Sequence, residues 1–168
     1  MPQHLPAIIR VYSWFKTPNP KAAGGGRPPR RPPRPRACPE AVDSVARASH
    51  VIIGPGSWFT SVLTHVLVPE MAQALRDTPA TRILVLNAGP QTGETQDFTA
   101  IRHLDTWAAL APGIGLEAVI ADPRSLDDVA GFERAAARLG ARVIVADVLA
   151  GQGHHDPASL ARALGELV

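Results

Sequence analysis

The stretch "VIIGPGSWFTSVLTHVLVPEM", residues 51–71, decides the fold. It opens as a β-branched apolar run, breaks at Gly54-Pro55-Gly56-Ser57, and resumes with apolar residues at helical spacing. A short Val/Ile run, a glycine loop and a helical pattern together read as a strand, a tight loop and a helix. The helix is expected from about Ser57 to Arg76, bent at Pro69. Gly54 and Gly56 permit close backbone approach, and Ser57 sets a hydroxyl beside the unpaired amides of a helix start, so the loop suits a phosphate or a carboxylate. The same four residues would also make a plain corner with Ser57 as N-cap. The segment has no Walker A lysine, no GxGxxG and no GxSxG, so Ser57 has no support as a nucleophile.

The unit repeats along the chain. "AVDSVARAS" reads as a short helix before the first strand, His50 to Gly54. "RILVLN" (82–87), "LEAVIAD" (116–122) and "ARVIVAD" (141–147) read as three more strands. Helices are expected from about Thr99 to Leu110, over "SLDDVAGFERAAARLG" with Ser125 as N-cap and Gly140 past its end, and over 157–167 with Asp156 capping and Pro157 at the first position. Apolar strands alternating with amphipathic helices indicate an α/β, doubly wound, Rossmann-like three-layer parallel sheet. In such sheets ligands gather at the carboxyl ends of the strands. There this chain places Gly54 to Ser57, Asn87, Gln91 to Thr95, Asp122 and Asp147.

Composition limits the rest. With 168 residues and 45% hydrophobic content, the chain is long enough for one domain with a real core. No run of eighteen apolar residues suggests a membrane span, and no secretory leader is recognisable, so a cytoplasmic location is expected. The single cysteine, Cys38, rules out an internal disulfide and is expected to be inert. Residues 1–37 carry two Lys, six Arg and no acid, +8, while the remainder carries nine Arg against fifteen acids, −6. This Pro/Arg/Gly-rich stretch is expected to be disordered and dispensable for the fold, with residues 38–168 as the folded part. No specific nucleic acid partner is expected, and oligomerisation stays open.

The loop after the second strand, "NAGPQTGETQDF", concentrates Asn87, Gln91, Gly93, Glu94, Thr95 and Asp97. That is more hydrogen-bonding capacity than a connection requires. Together with Gly54 to Ser57, Phe59 to Ser61, Leu67 to Pro69 and His103, it resembles the YvcK/CofD-like family, the gluconeogenesis-factor relatives of 2-phospho-L-lactate transferase. "ADP" at 121–123, "VIVADV" and "HDPASLARAL" resemble the closing portion of the YvcK branch. The family usually reads TQPGETDG, where this chain has Pro90-Gln91-Thr92-Gly93-Glu94-Thr95-Gln96-Asp97. Family members also carry a glycine-rich GGGTG-type loop after their first strand, which nothing in residues 1–37 matches. The chain therefore looks like the C-terminal half of a YvcK-like protein, a truncated form, behind an unrelated extension.

The resemblance implies a nucleotide-sugar-binding regulator, with a UDP-sugar as ligand, linked to central carbon metabolism, cell shape and peptidoglycan synthesis. Its ligand-binding residues would be Gly54, Pro55, Gly56, Ser57, Asn87, Gln91, Gly93, Glu94 and Thr95. Two alternatives stand beside it: a 2-phospho-L-lactate transferase-like enzyme acting on a deazaflavin acceptor, the one reading that brings magnesium, and a fragment that binds nothing. Catalytic residues are unassigned, and no metal site is expected. His154 and His155 lack the i, i+4 helical spacing of a zinc pair and read as a loop before a cap. Asp122 and Asp147 read equally as turn residues or as ribose or metal ligands, and Trp58 and Phe59 as packing residues.

Overall fold

The computed structural model describes residues 35–87, 89, 91, 93–151 and 153–167. The expectation about the basic stretch therefore lies largely outside the described residues. Of its end, Ala37 packs against the core and donates its N–H to Glu70 Oε2 at 2.7 Å.

Four strands, β1 (His50–Ile53), β2 (Thr81–Val85), β3 (Ala118–Ala121) and β4 (Arg142–Val145), form one sheet in the order β1-β2-β3-β4. Every pairing is parallel. The helices are α1 (Pro39–Arg47), α2 (Pro69–Asp77), α3 (Ala100–Leu110), α4 (Val129–Ala137) and α5 (Pro157–Gly165). Alternation sorts the strands' side chains onto two faces. Val51, Ile53, Leu84, Val119 and Ala121 join Met71, Leu75, Leu104, Trp107 and Phe132 of α2, α3 and α4 in the larger core. Ile83, Val85, Ala118 and Ile120 meet Ala163 of α5 on the other face. Three successive crossovers in one direction put their helices on one face, as right-handed connections require. The α/β class, the parallel sheet and the three layers follow the sequence pattern, and every residue of β3 is buried.

Three local readings change. The helix expected from Ser57 to Arg76 is two elements: a five-residue π-type turn, Trp58–Val62, and α2. Pro69 does not bend a helix but begins one, because its ring drives Val68 into extended backbone (φ −91°, ψ 114°) and it has no N–H to continue the first. The N-cap of α4 is Asp128, not Ser125: Asp128 Oδ1 accepts from Gly131 N at 2.8 Å, whereas Ser125 ends a 3-10 turn from Pro123. "GQGHHDP" is not wholly loop, since β5 (Leu149–Gly151) and β6 (His154–His155) pair antiparallel. The Asp156 cap of α5 is as expected, accepting from Ser159 N at 2.7 Å.

Candidate functional site

The loops after β1 and β2 meet. Gly54 leaves β1 with φ +82°, and a Cβ there would lie 2.8 Å from the Val85 carbonyl oxygen, so the exit of β1 lies tight against the end of β2. Gly56 is also close-packed, its hypothetical Cβ 3.2 Å from Ser61 Cβ. Ser57 then caps the π-type turn, accepting from Thr60 N at 3.3 Å and sharing a very short contact with Thr60 Oγ1. Its carbonyl accepts from Ser61 N at 2.9 Å and Val62 N at 3.0 Å, which sets the wider turn. A turn of five residues sums few peptide dipoles, so the macrodipole expected from a long helix is reduced to individual amides.

Across the gap, Ser57 Oγ lies 2.6 and 2.7 Å from the two carboxylate oxygens of Glu94, to which the hydroxyl donates. Trp58 N donates to Gln91 Oε1 at 3.3 Å. The second loop is braced from within: Glu94 N and Thr95 N both donate to the Gln91 carbonyl (3.1 and 2.9 Å), and Gln91 N donates to Thr95 Oγ1 at 3.1 Å. Thr95 is buried and Gly93 exposed, with φ +78°. The structure thus brings Ser57, Gln91, Glu94 and Thr95 together. Pro55 and Asn87 are half-buried nearby in sequence, and Asn87 makes no hydrogen bond among the described residues.

Behind the loops Trp58, 1% exposed, meets His103 edge to face with centroids 4.9 Å apart. His103 Nδ1 lies 2.8 Å from the Thr99 carbonyl, which can only accept, so Nδ1 carries the hydrogen. Burial lowers the His103 pKa below its ordinary value and keeps the ring neutral. Phe59, by contrast, is 38% exposed and packs edge-on against Phe98 at 5.7 Å, with Arg102 stacked over Phe98 at 4.7 Å. Trp58 is the packing residue expected, and Phe59 packs on Phe98 while staying partly exposed.

The Asp residues after β3 and β4 both meet Arg124. Asp122 is buried, caps the 3-10 turn, and accepts from Val148 N and Leu149 N as well as from Arg124. The Arg124 guanidinium, with the backbone N–H groups of Arg124 and Val148, holds its pKa down to about 2 against the effect of burial. Asp147 is exposed and pairs with the same Arg124. Sequence reading missed Arg124, and the signal was present, since Asp122 and Arg124 flank Pro123 at the end of a strand. Adjacent strand residues point to opposite faces, and while His154 is exposed, His155 is half-buried with Nε2 3.2 Å from the Leu86 carbonyl. Among the described residues no three His, Cys, Asp or Glu side chains converge as a metal would require, and no helix is long and apolar enough to cross a membrane.

A parallel sheet in three layers, with two polar loops joined at the carboxyl ends of adjacent strands, places the chain among Rossmann-like α/β proteins. The family model of 2-phospho-L-lactate transferase CofD matches residues 27–150, and the chain belongs to that family. It is 45% identical over 137 residues to the "Putative gluconeogenesis factor" of Mycobacterium tuberculosis, covering 79% of this chain and 40% of the relative. The "Gluconeogenesis factor" of Bacillus subtilis is 39% identical over 66 residues, 39% of this chain and 21% of the relative. Among solved structures, a UPF0052 family protein from Bacillus halodurans superposes with a TM-score of 0.65 at 23% identity, over 79% of this chain and 47% of that one. The chain thus spans less than half the length of these relatives.

Proposed function

We propose that this chain contributes to a nucleotide-sugar-binding regulator of the gluconeogenesis-factor type, acting in the cytoplasm on central carbon metabolism and cell-wall synthesis, with no catalytic step of its own. The observation that carries the reading is the Ser57–Glu94 pair, which joins the two loops where a Rossmann-like sheet takes its ligand. Its chemistry narrows the ligand. A carboxylate accepts hydrogen bonds and donates none, so Glu94 can exchange the Ser57 hydroxyl for a sugar hydroxyl, freeing the Ser57 hydroxyl to donate to a phosphate. A bare phosphate fits less well: two like charges about 4 Å apart repel by up to about 4 kcal/mol at an effective dielectric constant of about 20. Phe59, 38% exposed, is the aromatic ring of the first loop that a base could reach. Gly54, Pro55, Gly56, Asn87, Gln91, Gly93 and Thr95 supply the backbone and side-chain frame. The transferase alternative would need an acceptor pocket and metal-orienting acids, and of the latter the cleft's described residues offer Glu94.

Calorimetry with a UDP-sugar and with inorganic diphosphate tests this. Two or three hydrogen bonds from the loop, each worth about 1.5 to 3 kcal/mol with a charged acceptor, support only a millimolar dissociation constant against an immobilisation cost of at least about 4 kcal/mol. Glu94→Gln should tighten diphosphate about tenfold by removing the repulsion, and should weaken the UDP-sugar relative to diphosphate. Gly56→Val should abolish both, because its side chain fills the loop against Ser61. Equal shifts of both ligands in Glu94→Gln would sink the sugar assignment, and binding that survives Gly56→Val would sink the site.

A further inference from the structure

α1 and α2 lie side by side and run in the same direction. At one end Ala37 N, just before α1, donates to Oε2 of Glu70 in the first turn of α2 at 2.7 Å. At the other, Thr78 Oγ1, from the C-cap of α2, donates to the Val45 carbonyl near the end of α1 at 2.8 Å. Between these ties runs a groove with Val42, Ala46 and Ala74 as its apolar lining and Glu70, Gln73 and Asp77 along α2. None of these residues belongs to the cleft. The two helices together carry four acids, Glu40, Asp43, Glu70 and Asp77, against Arg47 and Arg76. Asp77 accepts from Gln73 Nε2 with both oxygens, at 2.9 Å each, and among the described residues no cation pairs with it.

The part of the chain that leads into the groove matches it in charge and in spacing. Arg36 Nε lies 3.6 Å from Glu70 Oε1, so the chain arrives at α1 by way of the groove's Glu70 end. Residues 1–34 hold two Lys and five Arg and no acid. Their last eight, Arg27-Pro28-Pro29-Arg30-Arg31-Pro32-Pro33-Arg34, read as polyproline II, in which residues three apart share one edge at a separation of about 9 Å. Arg31 and Arg34 are such a pair. Glu70 and Asp77 are two turns apart on α2, about 10.5 Å at 1.5 Å per residue. The two proline rings between the arginines carry no N–H, so an aliphatic lining leaves no backbone donor of theirs unsatisfied.

We propose that the groove between α1 and α2 is the docking site of this chain's own residues 27–34. Arg34 joins Arg36 at Glu70, Arg31 pairs with Asp77, and Pro32 and Pro33 sit on Val42, Ala46 and Ala74. Exposed ion pairs are weak, and a free peptide held by two of them would dissociate readily. Here the segment is tethered at Arg36, which makes its binding intramolecular and its effective concentration high. Such pairs add little to folding, so docking is compatible with a stretch that the fold does not need. For residues 27–34 it stands in place of the disorder that composition suggests.

Nuclear Overhauser effects in the isotope-labelled full chain at low salt test this. Expected are cross-peaks from the Pro32 and Pro33 ring protons to the methyl groups of Val42, Ala46 and Ala74, weakened in about 0.5 M salt, where screening shortens to about 4 Å. Arg31→Glu alters no contact described within the folded part, so a change it causes is not a change of fold. It should reduce the cross-peak intensity at least about twofold, and Asp77→Lys should do the same. Combining the two restores an attraction with its signs exchanged and should recover the intensity. Absence of the cross-peaks from the parent chain, intensity indifferent to Arg31→Glu, or no recovery in the combined variant would each overturn the proposal. So would cross-peaks between labelled and unlabelled copies in a mixed sample, which would put a second copy's segment in the groove.

Discussion

Replacing Asp122 by Ala should cost about 2 to 4 kcal/mol of stability, the loss expected when buried backbone N–H groups are left without their acceptor. The carboxylate accepts five N–H groups: Oδ1 from Arg124 N (2.9 Å) and Nε (2.8 Å), Oδ2 from Arg124 Nη2 (2.9 Å), Val148 N (3.0 Å) and Leu149 N (3.1 Å). The guanidinium is half-exposed and can turn to water, so it is not left as a buried, unpaired charge. The backbone donors cannot follow. Val148 is 1% exposed, and its N–H would be left without an acceptor as the chain passes from β4 to β5.

Acid should reproduce part of that loss. The Arg124 side chain is the first cause that holds the Asp122 pKa down to about 2, from an ordinary 3.8; burial opposes it, and backbone N–H bonds from Arg124 and Val148 reinforce it. Because the folded value is depressed, the unfolded chain binds the proton first. The stabilisation is complete above the unfolded value and disappears as pH falls from about 4 to about 2. Urea unfolding at a series of pH values checks both statements: Asp122→Ala should lower the midpoint at neutral pH and flatten the acid limb. A variant within about 0.5 kcal/mol of the parent at pH 7 would show that water replaces the carboxylate.

How far the sequence alone reached depended on whether the deciding forces were local. The start of α5 was legible because three signals coincide within two residues: Asp156 to cap, Pro157 with no N–H to satisfy, and the helical pattern behind them. The start of α4 was not, because Ser125, Asp127 and Asp128 compete over four positions and the choice is made elsewhere. Asp122 holds Pro123–Ser125 in a 3-10 turn, and Gly131 lets α4 lie within 2.9 Å of Ile101 Cδ1, measured from its hypothetical Cβ. The break at Pro69 was legible in kind but misjudged in consequence: a bend and a fresh start have the same local chemistry, and packing of Val66 and Val68 into the core decides for the second. The cleft divides in the same way. Its two loops stand out by composition, whereas the Ser57–Glu94 bond, 37 residues apart, depends on the register of β1 against β2. Arg124 meeting Asp147 likewise needs β3 and β4 to end at the same level, which no local pattern encodes.

Gly54 and Gly93 share left-handed backbone, φ +82° and +78°, yet replacement by Ala should cost clearly more at Gly54. At Gly93 the hypothetical Cβ meets nothing within 4 Å, so only the conformational penalty remains, about 1 to 2 kcal/mol. At Gly54 the same penalty applies, and the Cβ lies 2.8 Å from the Val85 carbonyl oxygen. That oxygen belongs to the backbone of a strand whose Val85 is 1% exposed, so it cannot swing aside as a flexible side chain would. Relief must come from moving the exit of β1 away from β2, for a total of about 3 kcal/mol or more. The direction of that movement ties stability to the cleft, since it draws Ser57 away from Glu94 and breaks bonds of 2.6 and 2.7 Å. Gly54→Ala is therefore expected to lose both cooperative stability and the Ser57–Glu94 pair on which the proposed ligand binding rests, and Gly93→Ala to retain the fold with a small drop in urea midpoint. Equal midpoints for the two variants would refute the argument. The close approach expected of both glycines in the GPGS loop is thus made to the protein itself: Gly54 approaches the backbone of β2, and Gly56 approaches Ser61.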